Sequence, residues 1–177
     1  DLFKETSLQI KKINSELDNE TNKLLTNTVL TFSDLKTNRM TDYKFDLDKF
    51  TNISGKTGIY VQYALVRAKK LLKNSSINTN KINLEISDFD ESDLNLLRGL
   101  IKFEFYFNLA LENNEPHHLA DYLYELSNLF NSMYQNENIL ENKEETIKLN
   151  KLKISEYFIS YSTLLMECLG LEPVEKM

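Results

Sequence analysis

Helix-breaking residues are scarce in this chain, which has only two prolines and four glycines among 177 residues. Proline interrupts a helix and glycine weakens one, whereas chains of short strands need both residues in their turns. Long stretches without either residue therefore favour α-helices. Apolar side chains also recur three and four residues apart, as in the stripe formed by Leu119, Tyr122, Leu123, Leu126, Phe130 and Met133. The sequence predicts an all-α protein.

The first three predicted helices start from recognisable signals. Residues 1–33 carry two apolar stripes, separated by a turn-like stretch at residues 18–21. Ser54 or Thr57 caps a third helix that runs to about Lys73, because a hydroxyl oxygen at that position accepts a hydrogen bond from a free helix amide.

The next predicted helix is unusually apolar. The stretch from Asp90 to Asp93 is typical of a helix start, because acids are favourable at the positive end of the helix dipole. Residues 94–111 are apolar on nearly every side, which predicts burial inside the bundle. Residues 101–107 alternate as a strand does, but no turn residues bound the alternation, so a helix is preferred. Residues 74–86 are predicted to form a loop.

Two more helices complete the predicted bundle. Pro116 lies in the first turn of one of them, where proline costs no backbone hydrogen bond, and a surface loop at residues 135–142 follows. The last helix ends at Gly170, which suits a left-handed cap. We expect a helical junction element at residues 1–52, followed by four main helices around one core at residues 53–177.

Charge is unevenly distributed along the chain, whose net charge is −6. General DNA or RNA binders offer phosphates a broad basic surface, so this composition argues against that class. Residues 54–76 nevertheless contain five basic residues and no acid, and residues 85–93 are acidic. The basic residues are Lys56, Arg67, Lys69, Lys70 and Lys73. This pattern favours one defined RNA site, and no DNA partner is expected.

Composition also bounds the kinds of site and location. The single cysteine, Cys168, rules out an internal disulfide framework and a multi-cysteine zinc site, and is expected to be a small core residue. His117 and His118 are interpreted as surface residues at a helix start, and residues 85–93 as a solvated acidic loop and cap, so no metal site is predicted. No apolar run approaches the roughly 20 residues of a membrane span, and residues 1–30 lack a signal-peptide pattern. A cytoplasmic location without a membrane partner is expected.

Three sequence blocks occur together in an order typical of one family. They are Gly58-Ile-Tyr-Val-Gln-Tyr-Ala-Leu-Val-Arg67, Glu115-Pro-His-His-Leu-Ala-Asp-Tyr-Leu-Tyr-Glu-Leu126 and Leu169-Gly-Leu-Glu-Pro-Val-Glu-Lys-Met177. Together they resemble the anticodon-binding region of arginyl-tRNA synthetases, and the similarity runs from about residue 34 to the last residue. The resemblance implies a helical bundle of the class I synthetase anticodon-binding type, with arginine tRNA as its partner.

The catalytic signatures of that family are missing from this chain. The family activates arginine with a His-x-Gly-His element and a lysine-rich mobile loop, whereas the only histidines here are His117 and His118. The resemblance therefore implies a C-terminal part of arginine–tRNA ligase, inactive alone and without a cofactor of its own. ATP binding and the charging of tRNA are assigned to the catalytic domain of the same enzyme, which is the second expected partner.

The resemblance also implies which side chains contact the anticodon. Tyr63 and Arg67 match the aromatic residue and the arginine that line the pocket for the middle anticodon base. Tyr134 matches a tyrosine that contacts the anticodon, and Met177 matches a terminal methionine whose thioether packs on a base. Asn138 stands where some relatives carry a tryptophan. The predicted anticodon-binding residues are Tyr60, Tyr63, Arg67, Tyr134, Asn138 and Met177.

Two other interpretations stay open at the level of sequence. A helical protein-interaction module without any RNA role has the same composition and periodicity. The same type of bundle also occurs in a few other synthetases, so recognition of a different tRNA is a third hypothesis. Binding of arginine tRNA, compared with a variant changed at the middle anticodon base, separates the three.

Overall fold

The computed structural model describes residues 1–136 and 138–177. Within those residues the chain forms eight α-helices and no strand, which confirms the predicted all-α fold. The helices are α1 (Leu2–Ile13), α2 (Asn19–Leu35), α3 (Leu47–Phe50), α4 (Gly58–Ser75), α5 (Glu91–Leu100), α6 (Phe103–Asn113), α7 (His117–Asn136) and α8 (Glu145–Cys168). Short 3₁₀ turns lie in the connections, at Thr79–Lys81, Ile86–Asp88 and Ile139–Glu141. None of the helices in this part of the chain is both long and apolar enough to cross a bilayer.

Side-chain caps fix where two of these helices start. Asp18 accepts a hydrogen bond from the backbone N–H of Thr21 at 2.8 Å, at the start of α2. Thr57 accepts one from the backbone N–H of Tyr60 at 3.2 Å, at the start of α4. Each contact satisfies an amide that has no partner within its own helix. Of the two caps predicted for α4, Thr57 is therefore the one that is used.

The main core lies around α7, which packs against α4, α5, α6 and α8. Phe130 of α7 is fully buried and stacks on Phe158 of α8, with the ring centroids 4.4 Å apart. Gly99 allows the close approach of α5 to α7, because a Cβ at this position would lie 2.7 Å from Cδ1 of Leu129. This packing holds α4, the helix that carries half of the predicted site residues, in a fixed position beside α7.

A second apolar cluster lies beside the main core, mostly among residues before the predicted bundle. It joins Ile10 of α1 to Ile59 of α4 and to Val174 of the segment that follows α8. Gly58 permits this packing, because a Cβ there would lie 2.7 Å from the carbonyl oxygen of Thr28 in α2. The N-terminal helices thus bury their apolar faces against α4 and the C-terminal segment. The boundary between a junction element and a bundle stays a prediction.

The prediction of one buried helix over residues 94–111 is wrong. The chain breaks at Ile101 and Lys102, between α5 and α6. Ile101, Phe105 and Leu111 are 78%, 63% and 60% exposed. Because α6 packs mainly on α7 and is apolar on more than one side, much of its apolar surface lies at the surface of the molecule.

The break between α5 and α6 is stabilised by a side chain of α7. The hydroxyl of Tyr122, which is fully buried, donates to the carbonyl oxygens of Gly99 at 2.8 Å and Leu100 at 3.2 Å. The carbonyl oxygen of Gly99 also accepts from the backbone N–H of Lys102 at 3.1 Å, so the hydroxyl adds a second contact at this helix end. Burial raises the pKa of Tyr122, which keeps the hydroxyl protonated and able to donate. The local sequence carries no sign of this contact.

A buried ion cluster ties α8 to the start of α5. Nζ of Lys151, which is fully buried, lies 2.7 Å from Asp90 Oδ2 and 2.8 Å from Asp93 Oδ1. Asp93 is also fully buried, so the interpretation of residues 85–93 as solvated acids is wrong at this position. Partial burial opposes ionisation of Asp90, but the hydrogen bonds from Lys151, Ser92 and the Asp93 amide together outweigh it and lower the pKa of Asp90 to about 2.

Helix α8 ends just before the predicted glycine, but the residue predicted to be buried near that end is not. Gly170 follows the helix with φ of 68°, in the left-handed region that favours glycine. Cys168 is exposed, contrary to the expectation of a core position. Leu165 and Leu169 take the buried positions of this turn instead.

Candidate nucleic-acid interface

Arg67 is the centre of the predicted site and lies on α4, one turn after Tyr63. Its Nη2 donates to the hydroxyl oxygen of Tyr63 at 2.7 Å, and its Cζ lies 4.4 Å from the centroid of the Tyr63 ring. The ring face attracts the delocalised positive charge of the guanidinium. The spacing of four residues on one helix brings the two side chains together.

Side chains of α7 hold the same guanidinium. Nη1 of Arg67 donates to Oδ1 of Asn131 at 2.7 Å, and Cζ lies 4.9 Å from the centroid of the Tyr134 ring. Asn131 is only 5% exposed, so water has little access to this hydrogen bond. Two hydrogen bonds and two rings therefore orient one arginine. Sequence reasoning missed Asn131, whose only signal is its place three residues before Tyr134 on the same helix.

A cavity of 390 Å³, which we call the guanidinium cavity, opens beside this arginine. Arg67, Tyr134 and Asn138 form part of its wall, so the structure brings these three predicted residues together. The other lining residues are Leu71, Gln135, Ile139 and Leu140. Ile139 is only 2% exposed and packs into the main core. The predicted surface loop at residues 135–142 is therefore anchored at Ile139, which fixes one side of the cavity.

Tyr60, which was also predicted to contact the anticodon, lies apart from this group. Its hydroxyl donates to Oδ1 of Asn128 at 2.7 Å, and its ring centroid lies 5.4 Å from that of Tyr124. Both partners are on α7. Tyr60 therefore packs α4 against α7 and does not line the guanidinium cavity.

Gln62 fixes the segment after α8, which we call the C-terminal tail (residues 169–177), to the middle of α4. Its side chain is fully buried. Its Oε1 accepts from the backbone N–H of Val174 at 3.0 Å, and its Nε2 donates to the carbonyl oxygen of Glu172 at 2.7 Å and to Oγ1 of Thr28 at 3.0 Å. One amide thus joins the tail, α4 and α2. Sequence reasoning included Gln62 in a motif but gave it no role.

Met177, the last residue of this tail, lines a second cavity together with Tyr63. This cavity, which we call the tail cavity, has a volume of 240 Å³ and is lined by both residues. The remaining lining residues are Ile10, Ile13, Asn14, Leu17, Leu25, Thr51, Ile53 and Ile59. Met177 also packs against the second apolar cluster. Tyr63 therefore contacts Arg67 and also shares a cavity with Met177.

Aromatic rings and guanidinium groups of this kind recognise unpaired nucleobases in RNA-binding proteins. A guanidinium has five N–H donors, and the described bonds of Arg67 use two of them. Tyr63 is 36% exposed, so part of its ring is open to solvent. Proteins read single-stranded RNA by stacking bases on aromatic rings or guanidinium groups and by hydrogen bonding to the exposed base edges. The arrangement is suited to hold a base that has left its stack.

Comparison with known proteins identifies the family of this chain. A family model described as the DALR anticodon binding domain matches residues 61–177. The chain belongs to the DALR anticodon-binding family. The matched span includes every predicted site residue of this DALR domain except Tyr60, which is the residue that the structure separates from the others.

Relatives of this DALR domain are larger proteins. The chain is 37% identical to an arginine–tRNA ligase of Buchnera aphidicola over 148 residues, which are 82% of this chain and 25% of the relative. An arginyl-tRNA synthetase structure from Plasmodium falciparum matches with a TM-score of 0.84 at 29% identity, over 99% of this chain and 33% of that one. A Thermus thermophilus arginyl-tRNA synthetase matches with a TM-score of 0.87 at 22% identity, over 99% of this chain and 31% of that one, and confirms the fold. The chain spans about a quarter of the length of the curated relatives it matches.

Glu115, His117 and His118 form one further group near the start of α7. Their ligand atoms all lie within 4.8 Å of one another, and Nε2 of His118 is 3.0 Å from Oε2 of Glu115. The other oxygen of Glu115 accepts a hydrogen bond from Nδ2 of Asn38 at 3.3 Å, which links α7 to the segment after α2. The absence of a metal site in this domain stays a prediction.

Proposed function

We propose that this DALR domain binds the anticodon stem and loop of arginine tRNA as the C-terminal part of an arginine–tRNA ligase. The observation that carries the proposal is the guanidinium of Arg67, which is hydrogen-bonded to Tyr63 and Asn131 and lies over the rings of Tyr63 and Tyr134. Because these contacts exist without RNA, binding requires little further ordering of the arginine. The related arginine–tRNA ligases support the choice of tRNA.

The target within the anticodon is its middle base. All arginine codons have guanine in the middle position, so every arginine anticodon carries cytosine at its centre. One pocket for that base therefore serves all arginine tRNAs, while the flanking bases vary. Cytosine has an amino donor and two acceptors on its pairing edge, and these groups become accessible when the base leaves the stack. The free N–H groups of Arg67 suit the acceptors.

Tyr63 is the surface on which this base stacks. Its ring contacts Arg67 and also borders the cavity that Met177 lines. Since the guanidinium lies over the rings of both Tyr63 and Tyr134, the base does not enter between those two rings. It packs on Tyr63, with Met177 next to it and the donors of Arg67 at its edge.

Binding of arginine tRNA to single-site variants tests this proposal. Stacking of one base on an aromatic side chain contributes about 1–3 kcal/mol, so Tyr63→Ala is expected to weaken binding by roughly tenfold or more. Tyr134→Ala is expected to do the same, because Arg67 then lacks one of its supporting rings. Tyr157→Ala is a matched control, because Tyr157 is a half-buried tyrosine of α8 that lies under a different cation, Nζ of Lys153, at 5.1 Å.

The outcome separates the candidate functions. The proposal is supported if wild-type protein binds arginine tRNA more tightly than the tRNA changed at its middle anticodon base. Both tyrosine variants must also bind arginine tRNA more weakly than wild type, while Tyr157→Ala binds it equally well. Equal weakening by the control variant contradicts it. If wild-type protein binds neither tRNA, the second candidate, a protein-interaction module, is favoured by the exposed apolar side chains of Ile101, just before α6, and of Phe105 and Leu111 in α6.

In our proposal, the activation of arginine and its transfer to tRNA take place outside this chain. We infer that ATP and arginine bind to a separate catalytic domain of the same enzyme, since the chain has neither a His-x-Gly-His element nor a glycine-rich phosphate loop. The DALR domain contributes selection of the tRNA and its orientation. The cytoplasm is the proposed location, because translation takes place there.

A further inference from the structure

A groove lined by lysines lies between α4, α8 and the C-terminal tail. It has a volume of 750 Å³, and we call it the lysine groove. Lys69, Lys70 and Lys73 of α4 contribute to its lining, and Lys176 contributes from the tail. Among the residues that line it, Glu175 is the one acid. The groove is therefore a local positive surface on a protein whose net charge is −6.

The four lysines differ in the partners they already have. Nζ of Lys69 lies 2.5 Å from Oε1 of Glu175, and Nζ of Lys176 lies 3.0 Å from Oδ2 of Asp18. Lys70 and Lys73 are exposed, and neither forms an ion pair with any residue that the structure describes. Two ammonium groups are thus open to an external anion, and the ammonium of Lys69 is held by a carboxylate.

The position of the lysine groove identifies the anion. Met177 lines both this groove and the tail cavity that contains Tyr63. A nucleotide whose base packs on Tyr63 and Met177 therefore has its sugar and phosphate next to the groove. Lysine ammonium groups neutralise phosphates along a nucleic-acid strand without reading its sequence.

We propose that the lysine groove binds the phosphodiester backbone of the RNA strand whose base reaches Tyr63. In the free protein, the carboxylate of Glu175 contacts the ammonium group of Lys69 where a phosphate oxygen binds in the complex. The inference rests on the proposed function, since it takes RNA to be the ligand. It adds a sequence-independent contact surface to the base site. It also makes the tail a competitor, because the carboxylate of Glu175 and the phosphate bind the same ammonium group.

The salt dependence of RNA binding tests the groove. A triple variant, K69Q/K70Q/K73Q, removes three positive charges from it. A matched control, K4Q/K12Q/K23Q, removes three charges from exposed lysines of α1 and α2 that line none of the cavities described above. Both proteins are titrated with arginine tRNA and its middle-base variant at several salt concentrations, and circular dichroism checks that each remains folded.

The groove variant is expected to bind both tRNAs more weakly by a similar factor. The slope of log affinity against log salt concentration is expected to decrease by about 0.7–0.9 for each phosphate that the variant no longer neutralises. The ratio of the two affinities, which reports base recognition, is expected to stay near the wild-type value. Equal weakening in the control variant, or an unchanged slope in the groove variant, overturns the proposal.

Glu175→Gln provides a test in the opposite direction and leaves every lysine in place. Without the competing carboxylate, the affinity for arginine tRNA is expected to rise by about two- to fivefold, the range for breaking one exposed ion pair. The salt slope is expected to become steeper. An affinity equal to or below that of wild type contradicts the role assigned to Glu175.

The lysine groove and the base site fail in different ways. If wild-type protein discriminates between the two tRNAs and the groove variant binds them as wild type does, the proposed function is supported and the role of the lysine groove is contradicted. If wild-type protein binds both tRNAs equally well and this binding depends on the lysines, the role of the groove is supported and the anticodon pocket is contradicted. Absence of any RNA binding removes both proposals.

Discussion

The backbone N–H of Val174 donates to the side-chain oxygen of Gln62 at 3.0 Å. Val174 belongs to the C-terminal tail, and Gln62 is the residue directly before Tyr63 on α4. A buried amide therefore sets the distance between the tail and the residues proposed to hold the anticodon base. Because Gln62 is fully buried, few other side chains can replace it.

Gln62→Leu is expected to loosen the tail. It keeps an apolar body of similar size but leaves the Val174 amide and the Glu172 carbonyl group without their partner, and each buried unsatisfied group costs about 1–3 kcal/mol. Hydrogen exchange at the Val174 amide is expected to accelerate, and the free energy of unfolding to fall. Gln9→Leu is the control, since Gln9 makes one exposed hydrogen bond to Asp48 at 3.0 Å. Unchanged exchange at Val174 contradicts this role of Gln62.

Lys151→Ala is expected to be among the most destabilising single changes in the chain. It leaves the carboxyl group of Asp93, which is fully buried, without its cation. Removal of one partner from a buried ion pair costs about 3–5 kcal/mol. Urea unfolding monitored by circular dichroism measures this destabilisation. Lys153→Ala, which breaks a more exposed pair with Glu156 on the same helix, is expected to cost below about 1 kcal/mol.

Acid is expected to weaken the fold through two aspartates. Hydrogen bonding to the Thr21 amide and to Lys176 lowers the pKa of Asp18 to about 2, and the pKa of Asp90 is about 2 as well, against an ordinary value of 3.8. A carboxyl group with a lowered pKa stabilises the folded state above its ordinary pKa, and this contribution is lost as the pH falls towards its folded value.

The free energy of unfolding is therefore expected to decline between about pH 4 and pH 2. The double variant D18N/D90N carries neither titrating group and is expected to show a shallower decline over that window. Chemical unfolding at a series of pH values gives both curves. A decline that is identical in the variant and in wild type assigns the acid sensitivity to other carboxyl groups.

Local chemistry allowed the helical fold class and several helix starts to be predicted from the sequence. The cap at Thr57 and the acidic start at Asp90 depend on residues three positions away, so they are visible in a short window. The contacts of Tyr122, Gln62 and Lys151 could not be predicted in this way. They connect residues that are 23, 112 and 58 positions apart.

The candidate site shows the same division. Tyr63 and Arg67 are one helical turn apart, so their contact follows from periodicity. The link from Arg67 to Asn131 crosses 64 positions and depends on how α4 packs on α7. The contacts of Tyr60 could not be predicted for a related reason, because helix spacing places it near Tyr63 while the packing of α7 turns it towards Asn128.

The chain alone is expected to show no arginine-dependent ATP–pyrophosphate exchange and no charging of tRNA. Both reactions need nucleotide-binding elements that are missing from its sequence. Exchange of labelled pyrophosphate into ATP measures the first reaction, with heat-treated protein as the control. Activity clearly above that control contradicts the assignment of catalysis to another domain.

The affinity ratio between arginine tRNA and its middle-base variant, measured for wild type and for Arg67→Lys, tests the central claim most directly. Lysine keeps the positive charge but lacks the planar set of donors that contacts Tyr63 and Asn131. We expect wild type to prefer arginine tRNA clearly and Arg67→Lys to lose most of that preference, with a similar salt slope. A ratio in Arg67→Lys as large as in wild type would contradict the claim that the guanidinium reads the middle base.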